Sequence, residues 1–117
     1  MNIQKFSKLA CVSTHTIRYY EKIGLLKQIT RNSSGHRFFT EKDLAWVEFI
    51  KRLKDTGMSL KNIYRYSQLR DKGASTSQLR MDILYEHVAT LEEKIADEQF
   101  HLQMLKQKIE YYKKNLS

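Results

Sequence analysis

The chain has 117 residues and a mass of 14.0 kDa, about one domain by length, which excludes a large multidomain enzyme. Its 21 Lys and Arg against 13 Asp and Glu leave a net charge of +8, while 41% hydrophobic residues are enough to fold. Average usage would give roughly six prolines and there are none, with only four glycines, so long helices are favoured over a turn-rich β domain.

The basic excess is local. Residues 1–72 carry 15 basic and six acidic side chains, a net of +9, whereas residues 73–117 carry six and seven, a net of −1. A nucleic-acid-binding head on a neutral tail fits this split, and so does a merely solvated basic surface, so the head needs a motif. The single cysteine, Cys11, excludes an internal disulfide framework and any Cys-cluster metal site, which implies a reducing compartment. The first residues lack the apolar core of a signal peptide and no stretch approaches a membrane span, so a cytoplasmic location without a membrane partner is expected.

Ile3, Phe6, Leu9 and Ala10 recur at helical spacing and predict a first short helix. After Cys11 and Val12, Ser13 is placed to cap a second helix from Thr14 to about Glu21, with Ile17 and Tyr20 inward and Thr14, His15, Arg18 and Tyr19 outward. Two short helices joined by a tight turn read as a helix-turn-helix, and Gly24 ends the second before Leu25 and Leu26 return to the core. Asn32-Ser33-Ser34-Gly35 between Ile29 and Phe38-Phe39 predicts a small β-hairpin carrying Arg31, His36 and Arg37, a plausible DNA-contacting wing.

Thr40 and Asp43 form a capping signature for a third helix holding Leu44, Trp46, Val47, Phe49, Ile50 and Leu53. Thr56-Gly57 stops it, and Ser59 starts a fourth holding Leu60, Ile63 and Leu69, with Tyr64 and Tyr66 beside them. Residues 71–75 then divide a head, 1–72, from a tail, 73–117. From Ser77 to Asn115 the chain has neither Gly nor Pro, and Leu84, Val88, Leu91, Ile95, Glu98, Leu102, Leu105, Ile109 and Tyr112 alternate spacings of four and three. Such heptads predict a coiled-coil helix on the order of 57 Å long, whose partner is most economically a second copy of the chain.

The expected fold is therefore all-α with a small β-hairpin wing: a winged helix-turn-helix head followed by a long coiled-coil dimerisation helix. Its physical reading is a pair of DNA readers held at fixed separation. Ser13, Thr14, His15, Thr16 and Arg18 at the start of the second helix would approach bases and phosphates in the major groove. Arg31 and Arg37 would grip the backbone, with His36 beside them and Gly35 allowing close approach.

The run IRYYEKIGLL from Ile17 to Leu26 is followed in order by Arg31, Gly35, Arg37-Phe38-Phe39-Thr40, Asp43-Leu44 and the segment Leu53 to Leu60, LKDTGMSL. Together these motifs resemble the MerR family of bacterial transcription regulators. The resemblance covers about Ile3 to Ser67, and the tail matches in architecture. It implies a homodimer joined by an antiparallel coiled coil, bound to double-stranded promoter DNA that it bends and untwists, so that RNA polymerase is served indirectly. By matching motif positions, Thr16, Arg18, Tyr19 and Tyr20 belong to the recognition helix, Arg31 and Arg37 to the first wing, and Ser59 and Lys61 to a second. The spacing of Tyr20 also suits a core role. Phe39 stands where the family commonly has tyrosine, removing a hydroxyl for phosphate, and Cys11 occupies a turn position usually held by glycine.

For the signal, the resemblance implies neither a metal nor a cofactor. Metal-sensing members place cysteines where this chain has Ser75, Thr76 and Ser77, and again in a loop beyond the long helix; His87 and His101 are 14 residues apart, roughly 20 Å at helical rise. Thr56-Gly57-Met58-Ser59-Leu60 is more similar to the subgroup responding to aldehydes and other electrophiles, with a small-molecule effector. Arg52 replaces the cysteine often found there. Cys11 is then a candidate redox sensor, with a helix start and basic surroundings favouring its thiolate, against a plain packing role at the turn. Glu98 in the seam would fix register, line a pocket or simply meet solvent. An architectural or excisionase-like DNA-binding protein is the alternative, although the heptads favour a regulator with spaced half-sites. No carboxylate pair, Ser–His pattern or phosphate-binding Gly loop marks an enzyme.

Overall fold

Short polar side chains open the first helices of the chain. In the computed structural model, which describes residues 1–27 and 30–116, Asn2, Ser13, Thr40 and Ser59 each accept a hydrogen bond from the backbone N–H three residues on, at 2.9, 3.0, 3.2 and 3.2 Å. These caps satisfy amides that have no partner inside the helix. They start α1 (Ile3–Ala10), α2 (Thr14–Lys22), α3 (Glu41–Asp55) and α4 (Leu60–Asp71). At α3 the bond is reciprocal, since the Asp43 carboxylate accepts from the Thr40 N–H at 2.9 Å, completing a capping box.

Between α2 and α3, the two-residue strands β1 (Thr30–Arg31) and β2 (Arg37–Phe38) pair antiparallel, Thr30 opposite Phe38 and Arg31 opposite Arg37. Ile29, expected to flank the hairpin, lies outside the described residues. A turn of 3-10 helix, Ala74–Thr76, which the sequence pattern does not announce, leads into α5 (Ser77–Asn115), a single helix of 39 residues. The fold is mostly helical and consists of two compact units, Met1–Lys72 and Gly73–Ser117.

The core of the first unit is built from Phe6, Ile17, Leu25, Phe39, Val47, Ile50 and Ile63, all essentially inaccessible. Phe6 and Phe39 stack with centroids 4.3 Å apart. Backbone bonds reinforce this stack, because Phe39 donates to the Met1 carbonyl at 2.8 Å and the Met1 amine donates to the Phe39 carbonyl at 2.7 Å. Phe39 is thus a core residue, so a tyrosine there would have to bury its hydroxyl rather than offer it to a phosphate. The buried Trp46 ties α3 to the residues after α2, its indole N–H donating to the Leu25 carbonyl at 2.7 Å. The Arg70 guanidinium covers the indole at 4.2 Å and Tyr66 stacks against it, so α3 and α4 share one aromatic platform.

Two apolar residues that share the helical spacing are nevertheless open to solvent: Leu9 and Leu60 are each about half exposed. Each lies at a helix end, Leu9 in the last turn of α1 and Leu60 as the first residue of α4, where fewer neighbours can cover it.

Candidate nucleic-acid interface

The helix-turn-helix is organised by its corner. α1 ends at Cys11, whose φ of 56° and ψ of 39° put a non-glycine residue in the left-handed region. This geometry explains why glycine suits the position. The amino-terminal end of a helix falls at Ser13, not at Cys11, which caps the carbonyl end of α1 with its thiol 3.7 Å from the Lys8 carbonyl oxygen. Ser7 Oγ donates to the Val12 carbonyl, tying the corner back onto α1. The exposed Cys11 borders an open groove of about 290 Å³ lined also by Leu9, Glu48, Arg52 and Asp55.

From this corner α2 runs with Ile17 and Tyr20 buried and with His15, Arg18 and Tyr19 exposed at spacings of three and four, hence on one face. Thr14 and Thr16 are half-buried. Ser13 Oγ is occupied by the Thr16 N–H and lies 2.9 Å from Thr16 Oγ1, so Ser13 and Thr16 shape the start of the helix as well as bordering its outer face. Lys22 is exposed on the His15–Arg18 face, four residues beyond Arg18; this spacing is a signal in the sequence that the motif does not mark. Tyr20 must be corrected as a recognition residue. It is 4% exposed, and burial first, then the Asp55 carboxylate, then Tyr19, raises its hydroxyl above the ordinary tyrosine range. The buried ring packs the head together.

The hairpin is shaped by Asn32, whose side-chain oxygen accepts from the Ser34 and His36 N–H groups at 3.0 and 3.1 Å. Gly35 takes a φ of +78°, and its carbonyl accepts from Arg31 Nη1 at 3.1 Å. Arg37 turns the other way: its Nε donates to Glu21 Oε2 at 2.7 Å, joining the hairpin to the end of α2 across 16 positions. His36 is exposed. At the start of α4, Ser59 spends its hydroxyl on the helix cap while Lys61 is exposed. The structure therefore unites the α2 face with Arg37 through Glu21, a residue the sequence motif contained but did not mark as a contact.

On α5 the heptad positions are open. Leu84 and Leu91 are half-buried, whereas Val88, Ile95, Leu102, Leu105, Ile109 and Tyr112 are between 48 and 65% exposed and Glu98 is exposed. Among the described residues, no three His, Cys, Asp or Glu side chains come together as metal ligands, and no helix is long and apolar enough to cross a membrane.

A capped, cationic helix-turn-helix beside a basic hairpin defines a DNA-reading head. The chain belongs to the MerR family: the model of the MerR HTH family of regulatory proteins matches residues 1–80. It is similar to an HTH-type transcriptional regulator of Haemophilus influenzae, with 36% identity over 88% of this chain and 76% of the relative. It is also similar to the HTH-type transcriptional regulator AdhR of Bacillus subtilis, with 37% identity over 72% of this chain and 60% of the relative. Among solved structures, HiNmlR, a MerR family regulator lacking the sensor domain and bound to promoter DNA, superposes with a TM-score of 0.85 at 33% identity over 97% of this chain and 86% of that one. A MerR family regulator from Listeria monocytogenes superposes with a TM-score of 0.89 at 37% identity, over 96% and 85%. The chain is a MerR-family DNA-binding transcriptional regulator.

Proposed function

We propose that the chain acts as a homodimer that bends and untwists promoter DNA, with residues 1–72 as a winged DNA-binding domain and residues 73–117 as an antiparallel coiled-coil dimerisation helix. The observation that carries this reading is the line of exposed apolar residues on α5. A 39-residue helix that leaves Val88, Ile95, Leu102, Leu105 and Ile109 about half exposed gains by pairing, since each fully buried aliphatic side chain is worth about 1.5–3 kcal/mol. Antiparallel pairing sets two heads a fixed distance apart and so demands spaced half-sites.

In each head His15, Arg18 and Tyr19 enter the major groove, with Ser13, Thr14 and Thr16 at the helix start and Lys22 further along. Arg31, Gly35, His36 and Arg37 form the first wing, and Ser59 and Lys61 the second. Phosphate contacts on both half-sites offset a distortion costing about 1–6 kcal/mol. The distorted promoter is then realigned for RNA polymerase. The Thr56–Leu60 segment supports membership of the electrophile-responsive subgroup, in which case Cys11, the only thiol, is the residue to test as sensor.

Footprinting of the chain's own upstream region, then transcription with purified polymerase, tests the reading. Protection of two spaced half-sites with altered transcription is expected, with Arg18→Ala relaxing sequence preference and neutralised Arg31 or Lys61 flattening the salt dependence. Protection without any change in transcription would favour an architectural role. An unchanged response of Cys11→Ser to a small aldehyde would remove Cys11 as sensor.

A further inference from the structure

We propose that Glu21 is a positioning residue for DNA recognition: its carboxylate anchors Arg37 and thereby sets the hairpin against α2, leaving Arg31 as the phosphate-contacting arginine of the hairpin. This rests on the DNA-reading function proposed above and divides the labour of two arginines that the motif treats alike.

Arg31 and Arg37 are cross-strand partners, next to the Thr30–Phe38 pair, among the described residues of the ladder. Like charges directly opposite each other in such a pair are destabilising. The structure separates them. Arg37 reaches Glu21 at 2.7 Å with the two side chains 36 and 24% exposed, whereas Arg31 folds over the turn onto the Gly35 carbonyl and has no carboxylate partner among the described residues. The Glu21–Arg37 bond is charge-assisted and partly sheltered from solvent, which makes it stronger than an exposed pair. It is also the described side-chain bond between α2 and the hairpin.

A carboxylate at the end of a helix destined for phosphates is a liability by charge alone. Glu21 is tolerable there because Arg37 neutralises it, and in exchange the hairpin gains a defined angle to α2. Positioning and simple electrostatics therefore predict opposite signs for its removal. Neutralising Glu21 should tighten DNA binding if charge decides, and weaken it if the hairpin's placement decides.

The test uses the full chain and a duplex that the wild-type protein selects from a randomised pool. Glu21→Gln is expected to lower affinity for that duplex about fivefold, the equivalent of one partly exposed ion pair, with the salt slope unchanged. Arg37→Gln should do the same, and the double substitution Glu21→Gln with Arg37→Gln should lose no more than either alone. The charge-swapped pair, Glu21→Arg with Arg37→Glu, should recover affinity to within about twofold of wild type. Circular dichroism checks that each variant folds; Arg37→Lys, which keeps the charge but not the guanidinium geometry, gives a second reading if Glu21→Gln does not fold, and its affinity should fall at constant salt slope. Unchanged or tighter binding by Glu21→Gln would overturn the proposal, as would a fall of about 0.9 in the salt slope for Arg37→Gln, which is the loss of a direct phosphate contact. A wild-type protein that selects no duplex would instead overturn the DNA-reading function itself.

Discussion

The two units of this chain solve opposite problems. Residues 1–72 bury Phe6, Ile17, Phe39, Val47 and Ile50 almost completely, and cap their helices with Asn2, Ser13, Thr40 and Ser59. In α5 only Ile83 is buried among the described residues, while a run of large apolar side chains meets solvent. The head closes on itself and the helix does not. The difference teaches that apolar content alone does not make a core: short helices with turns between them bring their stripes together, whereas a straight helix presents its stripe to whatever arrives from outside.

The comparison can be broken most forcefully in the head. Phe6→Ala removes one half of the Phe6–Phe39 stack and should cost about 3–5 kcal/mol in denaturant unfolding, close to the whole stability of so small a unit. If α5 instead supplied the stability, the midpoint would hardly move. Leu102→Lys addresses the other side of the contrast. It places a charge in the exposed heptad line, and sedimentation equilibrium should show the proposed dimer association weakened on the order of a hundredfold, about 3 kcal/mol, with the head's circular dichroism intact. An unaltered association constant would mean that the line is not the contact.

Two smaller effects sharpen the picture of the head. Cys11 holds a left-handed conformation that costs a non-glycine residue about 1 kcal/mol or more, so Cys11→Gly should raise stability by roughly 0.5–1 kcal/mol after the greater flexibility of unfolded glycine is counted. A loss on denaturant titration would show that the Cys11 side chain contributes packing that outweighs the strain. The smallest effect is at high pH. Burial raises the Tyr20 hydroxyl above its ordinary pKa of about 10, so its neutral form is favoured by folding. The unfolded chain therefore loses this proton first; the contribution is fully present below pH of about 10 and is lost as pH rises through the higher folded value. Tyr20→Phe should lessen the fall in melting temperature across that window, and an identical fall would remove Tyr20 as its source.

Much of this was legible in the residues themselves. Cap residues, the Asn32–Gly35 turn and the alternating fours and threes from Leu84 to Tyr112 are local signals, and local backbone chemistry acts within a few positions. The motif from Ile17 to Leu60 likewise carried the family. The harder residues are those whose role depends on distant neighbours. Leu9 and Leu60 carry the right period but sit at helix ends that the head leaves uncovered, and Phe39 acquires its core role only through Phe6, 33 positions away.

The sequence by itself therefore determined the helices and their ends, the hairpin turn, the cationic head and the heptad line, because each depends on contacts within a turn or two of the chain. Only the tertiary structure decided between the core and recognition roles that the sequence left open for Tyr20, and that Phe39 belongs to the core, that Cys11 bears the left-handed corner and that Arg37 is bound to Glu21. Periodicity assigns a side chain to a face of its own element; burial and ion pairing are set by what another element brings against that face.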